Sequence, residues 1–401
     1  MVSNRQQGDP AGENLDFSLA RLIQGSEAVI TLEELQAKLR KGRPLRVKFG
    51  VDPTSADIHL GHAVPLFKLR QWQEAGHVVV LIVGDFTARI GDPTGRNSTR
   101  PELALEEIQA NARTYQEQAF RILRPDRTEV LWNGTWFEKM SAGEFLALQK
   151  RVTATRLLQR REFQERRDRG EPIGLHELVY PLLQAWDSVV VQADVELGGS
   201  DQLFNLLLGR ELQAQVGQEP QVVQTVSLLE GLDGTRKMSK SFGNTIGITE
   251  SPQEIFGKVM SISDELMLRW YQVLLGTQPE PGVHPMEAKK RLAQWIIERV
   301  HDPEAAQKAR ESFERVFSRR EFPEDAPEMV VESPQIPLVR LLHTVGAASS
   351  LSEARRLVAQ GAVSLDGEKC SDPNKVVDCS KGIWLRCGKR FFAKIRTLPR
   401  G

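Results

Sequence analysis

The stretch Leu45-Arg46-Val47-Lys48-Phe49-Gly50-Val51-Asp52-Pro53-Thr54-Ser55-Ala56-Asp57-Ile58-His59-Leu60-Gly61-His62 decides the fold. Leu45 to Val51 reads as a strand, a proline-containing turn follows, and Gly61 to Ala75 reads as a helix. His77 to Gly84 then holds the unbroken apolar run Val78 to Val83, the pattern of a strand buried on both faces. Strand, helix and buried strand open a βαβ unit. Outward from it, helices are expected over Glu102 to Leu123, Ala142 to Arg156 and Leu175 to Val191, and a strand over Val222 to Leu229. This alternation predicts an α/β fold with a parallel, doubly wound sheet, whose ligands lie outside the carboxyl ends of its strands. Ser251 to Arg319 reads as helix after helix.

Composition sets the bounds. The chain has 401 residues, room for about two to three domains. Its 40% apolar and 26% charged residues predict an ordinary packed core. The polar start, Met1 to Phe17, has no apolar stretch and is expected to be a loose terminus, not a secretory signal. Val78 to Val83 is far shorter than the roughly 20 residues of a membrane span. Cys370, Cys379 and Cys387 match neither paired zinc ligands nor an even disulfide framework, which predicts free thiols in a reducing cytoplasm.

The 53 basic and 53 acidic residues cancel, which excludes a globally basic nucleic-acid coat and an acidic tail protein. The cancellation is uneven. Pro334 to Gly401 carries 12 Lys or Arg against 5 Asp or Glu, a net of +7, leaving 41 against 48, or −7, for the residues before it. A basic module on an acidic body predicts that the module meets a polyanion. The proline-punctuated stretch from Phe322 to Pro327, followed by Ser333-Pro334 and Pro337, reads as a linker to it. Within the module, Leu351 to Gly367 reads as a helix, a glycine stop and a hairpin strand.

Two segments carry phosphate chemistry. His59 and His62 stand three positions apart at a helix start, where backbone N–H groups attract phosphate. Imidazoles there can add charge-assisted donors, and Gly61 allows a purine or phosphate close to the backbone. Taken alone, such a pair serves equally for capping or metal binding. Lys237-Met238-Ser239-Lys240-Ser241-Phe242-Gly243-Asn244 reads as a mobile loop whose two ammonium groups close over a triphosphate as pyrophosphate leaves. Many such loops are merely solvated. Between these segments, Tyr180, Gln184 and Asp187 share one face of a predicted helix at i, i+4 and i+7. Apolar neighbours surround them, so a carboxylate at 187 either pairs internally or meets a polar ligand, for which a phenolic hydroxyl is suited.

Together, the two phosphate segments resemble the HIGH and KMSKS signatures of class I aminoacyl-tRNA synthetases. Tyr180-Pro181-Leu182-Leu183-Gln184-Ala185-Trp186-Asp187 and Gly198-Gly199-Ser200-Asp201-Gln202 are similar to the substrate motifs of bacterial tyrosyl-tRNA synthetases, and the resemblance extends from Leu19 to the C-terminus. It implies a tail and leading helix over 1–32 and a Rossmann-like parallel-sheet catalytic domain over 33–247 with a helical insertion at 100–167. An all-helical anticodon-side domain over 248–320, a linker over 321–336 and a small α+β RNA-binding module over 337–401, similar to that of ribosomal small-subunit protein four, would follow. The implied reaction joins L-tyrosine and ATP into tyrosyl-adenylate plus pyrophosphate, then passes tyrosine to the 3′-terminal adenosine of tRNA(Tyr). Mg²⁺ would travel on the ATP phosphates, with no protein-held metal.

The resemblance also implies roles. Tyr180, Gln184 and Asp92 would hold the α-amino group, Asp187 the phenol, and Gln202 would lie near the reacting carboxylate. Gly199 and Asp201 would receive the ATP ribose, Gly50 and Asp52 would border the adenylate, and Thr54, His59, Gly61 and His62 would face the phosphates under Lys237 and Lys240. Asp92 sits in Ile90-Gly91-Asp92-Pro93-Thr94-Gly95, which alone is an ordinary turn. Arg355, Arg356, Lys389 and Arg390, with Lys394 and Arg396 around Phe391 and Phe392, would form an RNA face giving affinity more than sequence choice. A cytoplasmic homodimer formed through the insertion, with no membrane or DNA partner, is the implied setting.

One position departs from the pattern. Two residues before Gly50, where many family members carry a tyrosine that contacts the substrate hydroxyl, stands Lys48. Three placements stay open for it: away from the site, against Asp187, or replaced in function by a water. A tryptophanyl-tRNA synthetase is the nearest alternative, but it need not place Tyr180, Gln184 and Asp187 on one face. A non-catalytic RNA-binding derivative is expected to lose the His or Lys signature, and both are intact.

Overall fold

The computed structural model describes residues 18–54, 57–93, 104–318, 326–331, 333–380, 382–388 and 391–397. The expected loose terminus, the start of the expected insertion, and Lys389 and Arg390 lie outside the described residues. The chain divides into two units, Met1–Ala306 and Gln307–Gly401.

In the first unit six strands form one sheet: β1 (Ala28–Ile30), β2 (Arg46–Val51), β3 (Val78–Val83), β4 (Thr128–Trp132), β5 (Val195–Gly199) and β6 (Val222–Val226), in the order β1-β6-β5-β2-β3-β4. β2 to β6 pair in parallel, and β1 runs antiparallel to β6 at the edge. The chain lays β2, β3 and β4 outward, then returns to the far side of β2 for β5 and β6, so the order reverses between β2 and β5. That reversal is a topological switch point, where α/β sheets open a ligand crevice. Pairing across it runs through Val47↔Val195 and Lys48↔Glu196, whereas β2–β3 and β5–β6 pair to their last residues, Val51 and Gly199.

Sequence explains most of these elements. Val79, Val80 and Leu81 in β3 are inaccessible, as a strand covered on both faces requires. The helix Leu175–Val191 has the expected bounds and stops where Gln192 takes a left-handed φ of 50°. Its Leu182, Leu183, Ala185 and Val189 pack with Leu208 and Leu212 of the helix Leu203–Gln215. The helical stretch from Ser251 consists of Pro252–Met260, Asp264–Leu275, Pro285–Val300 and Pro303–Ser318.

Three differences have local causes. The helix expected over Ala142 to Arg156 ends at Gln149, because Thr153 caps a new turn, Ala154–Leu157, by accepting from the Arg156 N–H at 3.2 Å. β5 has no unbroken apolar run to betray it, since Glu196 sits mid-strand opposite Lys48. The stretch read as a linker contains β7 (Glu328–Val331), which pairs in parallel with a strand near the C-terminus; Val331 turns inward and is buried despite the surrounding prolines.

In the second unit β7, β9 (Val363–Leu365), β10 (Glu368–Cys370), β12 (Ile383–Cys387) and β13 (Phe391–Thr397) form a sheet in the order β10-β9-β12-β13-β7. β8 (Gln335–Pro337) pairs separately with β11 (Val376–Asp378). The expected helix, Leu351–Ala359, precedes the β9–β10 hairpin, whose turn places Asp366 and Gly367 at φ 47° and 87°. All three cysteines are free and buried in this unit.

Candidate active site at the switch point

Asp52 follows β2 directly, and its carboxylate is held twice, by the Thr87 hydroxyl at 2.7 Å and the Tyr180 hydroxyl at 2.9 Å. Gly84, at the end of β3, makes room for this pair: a Cβ there would lie 2.1 Å from Asp52 Oδ1 and 2.3 Å from Thr87 Oγ1. Burial, then the charges of Asp52 and Asp92, push the Tyr180 phenol well above its usual range, so it stays a donor. Asp92 accepts from Gln202 Nε2 at 2.7 Å and Arg160 Nη2 at 2.8 Å. Asn205 Nδ2 donates to Gln202 Oε1 at 2.9 Å and Gln184 Oε1 at 2.8 Å. Asp92, Gln202 and Gln184 are thereby linked into one polar wall. Farther along the same helix, buried Asp187 accepts from Trp136 Nε1 at 3.0 Å and Asn133 Nδ2 at 3.4 Å. Burial lifts its carboxyl to about 7, against the downward pull of Lys48.

The phosphate side is built at the start of the helix Leu60–Glu74. His59 caps it, its Nδ1 accepting the His62 N–H at 3.4 Å, and the two rings stack with centroids 3.7 Å apart. Burial, then His62 and Lys240, hold the His59 imidazole down to about 3. Loss of hydration, then Lys240 and Lys237, lower His62 to about 4. Both are neutral near pH 7. In the free protein, loss of hydration keeps both imidazoles neutral, and the mutual repulsion of stacked cations beside lysines adds to it.

The lysine loop rests on this turn. Met238 is buried, and its sulfur accepts the Gly61 N–H at 3.3 Å. A Cβ at Gly61 would press to 3.1 Å from the His59 ring and 3.3 Å from Met238 Cβ, so the glycine serves loop packing in addition to any ligand. Asn244 pins the loop by accepting the Ser239 N–H at 2.8 Å and donating to the Lys237 carbonyl at 3.3 Å. Lys240 pairs with Asp57, and Lys237 is exposed. The Thr54 N–H donates to the Asp52 carbonyl at 2.7 Å. A Cβ at Gly50 would meet nothing within 4 Å, and one at Gly199 would lie 2.4 Å from Asp201 Oδ1. Burial, then Asp92, raise the Asp201 carboxyl.

Lys48 does not turn to the cleft. Its ammonium donates to buried Glu196 Oε1 at 2.8 Å, to buried Ser188 Oγ at 2.8 Å and to the half-buried Gln184 carbonyl at 2.9 Å. Of the three placements left open by sequence, the first is found.

Five residues escaped the sequence reading: Thr87, Asn133, Trp136, Arg160 and Asn205. Asn205 was findable, standing three positions after Gln202 on the same helical turn. Arg160 was not. It is a buried guanidinium bound to Asp92 and, at 3.1 Å, to Glu162, and nothing in its local pattern marks it. In the second unit Arg355 and Arg356 are exposed. Strand alternation separates the two expected aromatics: Phe391 packs against the core, while Phe392 stands with Lys394 and Arg396. Cross-strand pairing adds Trp384 and Arg386, with Lys394 Nζ 5.4 Å from the Trp384 ring centre and the Arg386 guanidinium 5.3 Å from that of Phe392.

The contact of Met238 with Gly61 brings the histidine turn and the lysine loop together beside a switch-point crevice, and that arrangement belongs to class I aminoacyl-tRNA synthetases. Residues 40–318 match the family described as tRNA synthetases class I (W and Y), and residues 319–391 the tyrosine-tRNA ligase SYY-like C-terminal domain. The chain is 49% identical to a tyrosine-tRNA ligase of Moorella thermoacetica, over 94% of this chain and 95% of that one. It is also 49% identical to one of Aquifex aeolicus, over 93% and 96%. A solved tyrosyl-tRNA synthetase complexed with L-tyrosine from Archaeoglobus fulgidus superimposes with a TM-score of 0.59 at 25% identity, covering 74% of this chain and 99% of that one. The chain belongs to the tyrosine-tRNA ligase family.

Proposed function

We propose that the protein activates L-tyrosine with ATP to tyrosyl-adenylate and pyrophosphate and then esterifies the 3′-terminal adenosine of tRNA(Tyr). The observation that carries this is the face of Leu175–Val191 on which Tyr180 reaches Asp52 at one end of the site and Asp187 lies in a buried polar niche at the other. Asp187 accepts the phenolic hydrogen. Tyr180, Gln184 and Asp92 hold the α-amino group, and Gln202 orients the carboxylate. Gly50, Asp52, Gly199 and Asp201 seat the adenosine, while Thr54, His59, Gly61 and His62 face the phosphates.

The tyrosine carboxylate attacks the α-phosphorus, a new O–P bond forms and the bond to pyrophosphate breaks, so no protein nucleophile is needed. Positioning and charge stabilisation lower the barrier. Lys240 leaves Asp57 to join Lys237 over the departing pyrophosphate, and imidazole N–H groups donate to it. Mg²⁺ enters on the ATP phosphates as part of that substrate. The half-exposed face of Trp384, Arg386, Phe392 and Lys394, with exposed Arg396, Arg355 and Arg356, suits an RNA backbone and its bases. A cytoplasmic homodimer is the proposed form; the solvent-facing Leu146 and Leu175 beside half-buried Phe145 and Leu178 offer an apolar surface to a second copy. Exchange of pyrophosphate into ATP that requires L-tyrosine tests the reading. Equal exchange with tryptophan, or without any amino acid, overturns it.

A further inference from the structure

Lys48 and Glu196 face each other in register across the switch point, and both side chains are buried, 0% and 1% exposed. Such a pair is costly to desolvate unless its remaining donors and acceptors are satisfied. Here they are. Lys48 spends its three hydrogens on Glu196, on Ser188 and on the Gln184 carbonyl. Glu196 Oε2 accepts from Ser188 Oγ at 2.9 Å and from Gln221 Nε2. Gly209, on the helix Leu203–Gln215, leaves space for the cluster: a Cβ would lie 2.6 Å from Gln221 Nε2, 3.0 Å from Ser188 Oγ and 3.3 Å from Glu196 Oε2.

The two helix groups that Lys48 grips are four residues apart, Gln184 and Ser188, and Asp187 belongs to the turn between them. We infer that the buried Lys48–Glu196 pair is the positioning element of tyrosine selection, fixing from behind the helical turn that carries Gln184 and Asp187 without touching the amino acid. The inference rests on the reading of Asp187 as the phenol acceptor. It also assigns Lys48 a different duty from a tyrosine at the same place, which would enter the pocket. Electrostatics runs the same way at a distance, since Lys48 favours the ionised Asp187 carboxylate while Glu196 opposes it; Asn133 and Trp136, which donate to Asp187, are neutral.

The test uses the full-length protein and tyrosine-dependent pyrophosphate exchange. Lys48→Met alone strands a buried carboxylate, so the decisive variants are the double Lys48→Met/Glu196→Gln, which removes both charges, and Gly209→Ala, which crowds the cluster and keeps them. Each is expected to lower the tyrosine-over-phenylalanine ratio of kcat/KM by about tenfold, one polar contact's worth, with KM for ATP unchanged. In the double variant the acid limb of kcat/KM for tyrosine moves to higher pH, since the lost cation weighs more on Asp187 than the lost anion; a purely structural bolt would not move it. A folded double variant with the wild-type ratio and limb overturns the inference, as does one that unfolds or in which the KM values for tyrosine and ATP rise together. Asp187→Asn is the separate arm: if it selects tyrosine as the wild type does, the phenol reading fails on its own.

Discussion

Tyr180 donates its hydroxyl to the Asp52 carboxylate across 2.9 Å, so the residue proposed for the amino-acid pocket is bonded to the one proposed for the adenosine side. Removing the hydroxyl by Tyr180→Phe takes one partner from a partly buried carboxylate that Thr87 also holds. The expected cost is about 1–3 kcal/mol, seen in KM for both tyrosine and ATP. Asp52→Asn is expected to produce an overlapping loss. A double-mutant cycle in exchange kinetics should return a coupling of about 0.5–3 kcal/mol, and additive losses would contradict the bond's role.

In the proposed reading, Asp187 is the group that distinguishes tyrosine from phenylalanine. A buried acceptor left unpaired by a ligand lacking the hydroxyl rejects that ligand, and tyrosyl-tRNA synthetases are the type case of such rejection, at about 10⁵-fold. Asp187→Ala is expected to cost about 1.5–3 kcal/mol of that discrimination, the worth of a hydrogen bond to a charged group, while KM for ATP stays within about twofold. Paired kcat/KM measurements with the two amino acids check it.

Much of this site was legible because its chemistry sits where the pattern changes. His59 and His62 mark a strand giving way to a helix, and Tyr180, Gln184 and Asp187 fall on one face by spacing alone. The switch point was not legible: it depends on β5 returning beside β2, and β5 hides its strand character behind Glu196. The partner of Lys48 was hidden for the same reason, since 148 residues separate Lys48 from Glu196. Arg160 reaches Asp92 from 68 residues away, and no local periodicity foretells a contact that only tertiary packing makes. The linker misreading has another cause: prolines mark the ends of β7 as readily as they mark loose chain.

A pH dependence follows from burial at Asp187, whose carboxyl rises from 3.8 to about 7. Between those values the folded protein keeps a proton that the unfolded chain has released, so this group's contribution to stability falls as pH rises from about 4 to 7 and is level above. Tyrosine use runs the other way. The phenol needs a carboxylate acceptor, so kcat/KM for tyrosine climbs with pH and reaches half its plateau near 7. Asp187→Asn should flatten both trends, read by denaturant titration and by exchange kinetics across pH 5 to 8.

In the proposed mechanism Lys237 and Lys240 act on charge that develops as pyrophosphate departs, so each change to alanine is expected to lower kcat for exchange by about 10²–10³-fold, with KM for tyrosine little altered. Lys240 is paired with Asp57 in the free protein, and Asp57→Asn is expected to free the loop without removing either ammonium. Pre-steady-state adenylate formation separates the two effects: Asp57→Asn keeps the chemical step within about threefold, a surface ion pair being worth about 0–1 kcal/mol.

The second unit should be separable from amino-acid activation, and its true boundary decides how to cut. Removing Pro334 onward would leave β7 behind, with Met329 and Val331 stripped of the sheet they pack in and an unpaired edge exposed. A chain ending at Ser318 avoids this and keeps whole the helix Pro303–Ser318, which carries the first residues of the second unit; it is expected to keep tyrosine-dependent exchange within about twofold while tRNA charging falls by about tenfold or more, the phosphate contacts being lost. Within the whole protein, Arg355→Ala and Arg356→Ala should weaken charging of all tRNA(Tyr) sequence variants alike and lower the salt dependence of tRNA binding by about one unit of slope for each phosphate contact removed. Equal loss of exchange and charging in the shortened chain would make the second unit a support for the first and not an RNA-holding module.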